Sequence, residues 1–446
     1  MSILIAILGA IVAFFIVVVV HEWGHFAVAR SLGIAVVRFS IGFGKPVWSR
    51  RLKSGVEIAV GWLPLGGYVK MVDTQDEEAK KEPASKGIPF ETAPWWHRAL
   101  VLIAGPLMNF ILAIIVFSLV YTIGVKDIKP IVGKVIPHSV MAEAGVRPQD
   151  QFTQVDHKKT GDWQTVMMRL IVHLGAKEPV PVVVKRGSHA SVVPLRVDLS
   201  HLQLDPMNAN LLQGFGITPY FPPVPAVVFK IMPDSPASHV DLKPGDKILS
   251  IAGKPIHSWQ DLLEKVSASP GKKVVLRTPR KRVTITLGEK NGRGYLGAMA
   301  KTVPIPQSLQ SVTRYPWYTA PYHSLRLTGE FIDFHLVLIK LLCTGKLSLK
   351  ALSGPVSIFQ SAGEASLAGL ISFLQFIALI SVILGVFNLL PIPALDGGYL
   401  LFCVIEGIIR RPIPHHLLMR FTGAGIIFLI TLIVYATFND VLRALH

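Results

Sequence analysis

Two imidazoles stand four residues apart around a glutamate in the run His21-Glu22-Trp23-Gly24-His25. On a helix, positions i and i+4 share a face, so both histidines can bind one zinc ion. Glu22 would then stand beside the open coordination position, placed to take a proton from a water there. A catalytic zinc needs a third protein ligand and leaves its fourth place open. The candidate for that ligand is Asp396, in the run Asn388-Leu389-Leu390-Pro391-Ile392-Pro393-Ala394-Leu395-Asp396-Gly397-Gly398. Pro391 and Pro393 deny this stretch helical continuity, and Gly397-Gly398 removes side-chain bulk beside the carboxylate, so that backbone and aspartate can approach a metal on a neighbouring helix.

The elements that must position these groups are membrane elements. The chain has 446 residues, 51% hydrophobic and only 16% charged, with a mean hydropathy of +0.48, which exceeds ordinary globular usage. The formal charge of +17 is spread beside apolar runs with no compact Lys/Arg block, which reads as membrane-surface charge and not as a nucleic-acid interface. Cys343 and Cys403 give neither a disulfide framework nor a thiolate metal site. Ile3 to Val20 is an uncharged run long enough to cross a bilayer core of about 30 Å. No basic residue precedes it and no small-residue cleavage site follows, which argues against a signal peptide. Further spans are expected at about Ala99 to Ile123, behind the interfacial pair Trp95-Trp96, at Leu370 to Leu390, and at Phe421 to Phe438. Leu325 to Cys343 is broken up by Arg326, Glu330, Asp333, His335 and Lys340, and is expected as an amphipathic surface helix within a linker covering 304–369.

Short-loop charge sets the orientation. Residues 26–98 carry 11 Lys/Arg, and Arg410, Arg411 and Arg420 lie between the last two spans. The positive-inside rule therefore puts both termini, and the stretch 124–369, outside the cytoplasm. The first and third spans then end on the same face, where His25 and Asp396 can meet. An interfacial His-Glu-His cluster that merely solvates a helix end is the competing reading, but ionisable groups at membrane depth are costly and usually functional.

The long stretch repeats itself. Pro137, Ser139, Lys158, Trp163 and Gln164 recur 96 residues later as Pro233, Ser235, Lys254, Trp259 and Gln260, and Pro148-Gln149-Asp150 recurs as Pro244-Gly245-Asp246. Each copy runs from a β-branched strand through a Pro/Asp turn to a helix after the Trp. The phrase Leu242-Lys243-Pro244-Gly245-Asp246 resembles a PDZ domain. Copies at 124–220 and 221–303 would close with the carboxylate-loop candidates Gly214-Phe215-Gly216-Ile217 and Tyr295-Leu296-Gly297-Ala298. Gln149 replaces the turn glycine in the first copy, where a weakened or lost peptide site and a working one are expected alike.

Taken together, HExxH at 21–25, the Asn388 to Gly398 run, Gly105-Pro106 with Asn109, the tandem copies and Leu352-Ser353-Gly354-Pro355-Val356 resemble the site-2 protease family over nearly the whole chain. The resemblance implies a zinc endopeptidase of the inner membrane that cleaves transmembrane segments of single-span proteins. Typically the substrate is an anti-sigma factor, already trimmed by another protease in envelope-stress signalling. The expected architecture is an α-helical polytopic membrane protein with four transmembrane helices, two extracytoplasmic PDZ-like α+β domains and a membrane-associated β-hairpin segment at 31–96. In that segment Gly42-Phe43-Gly44 and Pro64-Leu65-Gly66-Gly67-Tyr68 flank what read as short strands. The family is thought to use such an edge for β-augmentation of an unwound substrate, which makes Gly42, Phe43, Gly44 and Gly67 substrate-binding candidates. Asn109 and Asn388, polar groups inside apolar spans, either contact the substrate backbone or pack helices. Asp76 to Glu82 reads as a solvated loop. A membrane-anchored PDZ scaffold with a structural metal cluster is the rival of another class, and a zinc protease cutting soluble loops at the membrane surface lies between. Glu22 favours an enzyme, since a structural site needs no base.

Overall fold

The computed structural model describes residues 2–72, 86–187, 191–202, 211–290, 292–301 and 305–445; the charge run Asp76 to Glu82 lies outside them. Helix α1 (Ser2–Ser31) carries the first apolar run straight through the HExxH motif without a break. Two strands follow, β1 (Val36–Arg51) and β2 (Glu57–Met71). They are long, where short ones were expected, because each runs through its glycine motif by bending. Gly42, Gly44 and Gly66 have φ of 86°, 87° and 101°, a region open to glycine at little cost. Bending lets Arg38 pair with both Lys70 and Glu57, so two strands form four ribbons in the order 67–71, 36–41, 57–61, 46–51. Helix α2 (Trp95–Ile123) then crosses α1, and Gly24 permits the approach: any side chain there would run into the Ala104 carbonyl.

Beyond α2, β3 (Val125–Ile128) leads into the first repeat. Its strands are β4 (Val132–Val135), β5 (Gln151–Val155), β6 (Lys158–Lys159), β7 (Val180–Arg186), β8 (Ser191–Val197) and β9 (Ile217–Pro219), with helix α3 (Trp163–Val172). The second repeat has β10 (Val228–Ile231), β11 (Ser250–Ile251), β12 (Lys254–Pro255), β13 (Lys273–Arg277), β14 (Arg282–Thr286), β15 (Gly288–Lys290), β16 (Arg293–Tyr295) and β17 (Ala298–Ala300), with helix α4 (Trp259–Ser267). The internal repeat is thus a repeat of topology. Sheet orders β6-β5-β7-β8 and β12-β11-β13-β14 match, as do the pairs β4-β9 and β10-β17. Conserved details follow the offset: Trp163 and Trp259 are buried at the starts of α3 and α4, capped by Asp162 and Ser258. A side chain on Gly216 would strike Ser139, and one on Gly297 would strike Ser235.

Strand β18 (Gln310–Thr313) returns to pair with β3. Helix α5 (Ala320–Cys343) covers the segment expected on the membrane surface, but it is packed by protein on several sides. Phe331 stacks on Phe117 of α2 with ring centroids 5.8 Å apart. Leu341 and Leu347 complete the core of the first repeat, and Arg169 of α3 reaches Glu330 at 3.4 Å. Helix α6 (Pro355–Ala368) lies against the start of α1, Gly363 facing Ala6 and Gly9 facing Ser366. Helices α7 (Leu370–Asn388), α8 (Asp396–Ile409) and α9 (His415–Leu445) complete the chain. Asp440 of α9 caps α6 by accepting the Gly354 and Ser357 amides at 3.0 and 2.9 Å, satisfying N–H groups a helix start leaves open. Among the described residues four helices are long and apolar enough to cross a membrane: Leu4–Ser31, Trp95–Ile123, Leu370–Asn388 and His416–Arg443.

Candidate metal centre

The HExxH histidines lie on the buried face of α1, where helical spacing stacks them, with ring centroids 4.8 Å apart. Helix α7 ends at Asn388, and the Pro391–Pro393 turn carries the chain to a new helix that begins at Asp396. Ala394 holds φ at 76°, a strained value for a residue with a side chain. The glycines after Asp396 work differently from the sequence expectation. Side chains at Gly397 and Gly398 would collide with the carbonyls of Leu389, Leu390 and Ile392, so the space they open is against their own turn and not against α1. That close fold delivers the carboxylate. His21 Nε2 and His25 Nε2 are 3.2 and 3.3 Å from Asp396 Oδ2, and 3.2 Å from each other.

These separations suit one ion. Ligand atoms about 2.0–2.1 Å from a tetrahedral zinc stand roughly 3.3 Å apart. Proton inventory points the same way. His25 Nδ1 donates to the Val101 carbonyl at 2.7 Å, which leaves Nε2 as a bare lone pair. His21 Nδ1 faces the Asn109 amide at 3.2 Å, with its Nε2 in the cluster. Asp396 Oδ2 is buried and receives no well-directed hydrogen bond. Three ligand atoms thus converge within 3.3 Å of one another, an arrangement that suits a cation. Among the described residues, His21, His25 and Asp396 form the one group of three or more His, Cys, Asp or Glu gathered closely enough to ligate a metal.

Neighbouring glycines make room. A Cβ on Gly105 would lie in the His25 imidazole, which gives the Gly105-Pro106 motif of α2 its physical reason. One on Gly67 would press on Glu22 and on the Ser40 carbonyl, so β2 passes directly over the candidate base. A cavity of about 860 Å³ opens from His21, Glu22, His25 and Asp396 along Gly67, Tyr68 and Val69 of β2.

The profile of peptidase family M50 matches residues 9–432, covering the whole site. The chain belongs to peptidase family M50. M50 membership and near-full-length similarity agree. It is 36% identical over 452 residues to protease RseP of Yersinia pestis (99% of this chain, 100% of that one). Against the regulator of sigma-E protease RseP of Escherichia coli K12 it is 35% identical over 441 residues, 97% of each chain. A protein described as a zinc metalloprotease, from Vibrio cholerae, is 33% identical over 443 residues, again 97% of each. This M50 chain is therefore a membrane metalloprotease of the site-2 type, and the scaffold alternative is not favoured.

Of the other residues expected here, Asn388 places its amide 3.3 Å from His21 Nε2, on the metal side, and is partly exposed. Asn109 is wholly buried on the opposite side of the same ring. Gly67 lines the cavity, whereas Gly42, Phe43 and Gly44 do not; they form the bend of β1, with the Phe43 ring stacked on Tyr68 at 6.3 Å. Sequence reasoning missed Tyr399, Arg98 and Glu406, which also line the cavity. Tyr399 was findable, being one helical turn beyond Asp396. Arg98 and Glu406, an ion pair joining α2 to α8, are 308 positions apart and carry no local signal.

Proposed function

We propose that the chain is a zinc endopeptidase that cleaves transmembrane segments of single-span proteins, with His21, His25 and Asp396 holding one zinc ion and Glu22 as the general base. The observation that carries the reading is the convergence of three ligand atoms beside Glu22 in a cavity bordered by a strand. Zinc in this cradle would supply Lewis acidity for a scissile carbonyl and for water. Glu22 takes the proton of the attacking water and passes it to the amine that leaves. Peptide bonds in a membrane helix are shielded by their own hydrogen bonds, so a substrate must unwind first. The ribbon 67–69 of β2 supports this step: it runs along the cavity wall, where an extended segment could add as a strand. Gly67 keeps that wall thin, Asn388 offers an amide on the metal side, and Gly42, Phe43 and Gly44 set the bend that aims the ribbon.

The RseP relatives are named as regulators of sigma-E. By analogy the substrate class here includes an anti-sigma factor, and the location is a bacterial inner membrane with four spans. The two repeats are read as PDZ-like modules that bind peptide or protein segments, and they and both termini are read as lying outside the cytoplasm. Impermeant cysteine labelling of a Cys-free protein would test the orientation: Ser54→Cys stays protected, while Ser269→Cys and Ser348→Cys react. Protection at 348 with reactivity at 269 would mean an extra crossing and overturn it.

The activity test uses detergent-solubilised protein and its Glu22→Gln variant with single-span substrates, products being read by mass. Wild type should cut within the spanning segment, and Glu22→Gln should keep zinc and lose nearly all cleavage. Turnover by Glu22→Gln at the wild-type rate would sink the mechanism, and cuts confined to soluble loops would overturn the substrate class.

A further inference from the structure

Two asparagines touch the same imidazole from opposite sides, and only one of them can meet a substrate. We infer that Asn109 is a positioning residue for His21, fixing its tautomer and ring orientation for metal binding, and does not contact substrate. This rests on the reading of His21, His25 and Asp396 as the zinc ligands.

Each histidine of the cluster has one partner on its far nitrogen, and both partners come from α2. His25 Nδ1 donates to the Val101 carbonyl at 2.7 Å. His21 Nδ1 meets the Asn109 side-chain amide at 3.2 Å. A histidine that ligates through Nε2 carries its proton on Nδ1, so the amide atom facing it must be the acceptor, Oδ1; a half-turn of the amide is all that distinguishes the two placements. Without this acceptor the Nδ1–H would be buried and unpaired in a low-dielectric span, and the ring would be free to turn or to protonate on Nε2.

Asn109 is itself held. It is 0% exposed, and its backbone carbonyl accepts the Ser381 hydroxyl of α7 at 2.8 Å, a residue equally buried. The asparagine therefore joins α1 through its side chain and α7 through its main chain, and it is not among the residues lining the cavity. Asn388 lies outside that lining too, but it is partly exposed and its amide is aimed at the metal side of the ring. Removing an outer partner of a ligating histidine typically weakens metal binding roughly 10–100-fold.

The test is zinc affinity, measured by chelator competition on the purified full-length protein. Asn109→Leu, similar in volume but without an acceptor, should bind zinc roughly 10–100-fold more weakly. Asn109→Asp, which restores the acceptor, should stay close to wild type, and Asn388→Leu should leave zinc affinity unchanged. At saturating zinc, Asn109→Leu should recover much of its cleavage rate with KM unaltered. Wild-type zinc affinity in Asn109→Leu together with a raised KM would overturn the inference and make Asn109 a substrate contact. If Asn109→Leu does not fold, Asn109→Ser, whose hydroxyl is too short to reach, serves the same comparison. If His21→Ala binds zinc as tightly as wild type, the ligand set has failed and the inference falls with it, an outcome separable from failure at Asn109 alone.

Discussion

The two repeats share one topology and differ in what completes them. The first takes Leu341 of α5 and Leu347 just beyond it into its core, together with the Lys346 ammonium on the Gly175 carbonyl and the Arg169–Glu330 pair. The second fills its core with its own residues, from Ala226 to Leu296, and meets the first in the exposed pair Lys134–Glu264. Because α5 also packs on α2 and α7 through Phe331, the first repeat is an extension of the helices that carry the metal ligands' supports, and the second is an insertion borne by it. A duplicated fold has thus been given two mechanical roles by a few side chains contributed from elsewhere.

Truncation should break this contrast most visibly. Leu341→Ala removes a buried side chain from the first repeat and is expected to destabilise it by about 2–5 kcal/mol. Hydrogen exchange should then accelerate at Phe152–Val155 and Val180–Arg186, while Lys273–Arg277 keeps its protection. Leu262→Ala, in the second core, should do the reverse. Unchanged exchange in the first repeat of Leu341→Ala would mean that α5 merely leans on it.

Acidity gives a smaller effect. Burial holds His335 of α5 below the ordinary histidine value of 6.5, against the opposing pull of its bond to the Phe331 carbonyl. The unfolded chain then binds the proton more readily than the folded one. Stability of the α5 unit is therefore full above pH 6.5 and declines as pH falls through that value. Exchange in α5 and the first repeat should rise on acidification, and His335→Leu should flatten the response. Equal sensitivity in the variant would assign it to another group.

Smallest of all are the ion pairs. Arg169→Gln should cost no more than about 1 kcal/mol, and Lys134→Gln close to nothing, since both partners of the latter are largely exposed. A larger loss from Lys134→Gln would show the repeats to be coupled directly.

The chemistry was more legible than the packing. HExxH could be read because helical spacing alone brings its two imidazoles to one face, and Asp396 because span counting returns it to that face. Among the described residues four apolar helices emerged close to their expected bounds, and the repeat was visible in the seven identities named at one offset. Long-range contacts had no local trace: Leu341 looks like any apolar position of α5, and nothing marks it as core for a module that ends more than a hundred residues earlier. The bends of β1 and β2 were hidden for a related reason, since Gly42 and Gly66 signal a turn equally well as a kink. Asn109 was noticed as a polar group in a span, yet its partner lies on another helix, and sequence leaves helix packing and ligand support indistinguishable.

The central claim is the metal centre, and its coordination shell can be read directly by X-ray absorption at the zinc edge of the purified protein, wild type beside Asp396→Ala. The wild-type spectrum should show two imidazole nitrogens and oxygen ligands at about 2.0–2.2 Å, with zinc largely lost from Asp396→Ala. A sulfur shell near about 2.3 Å, or full zinc occupancy in Asp396→Ala, would contradict it.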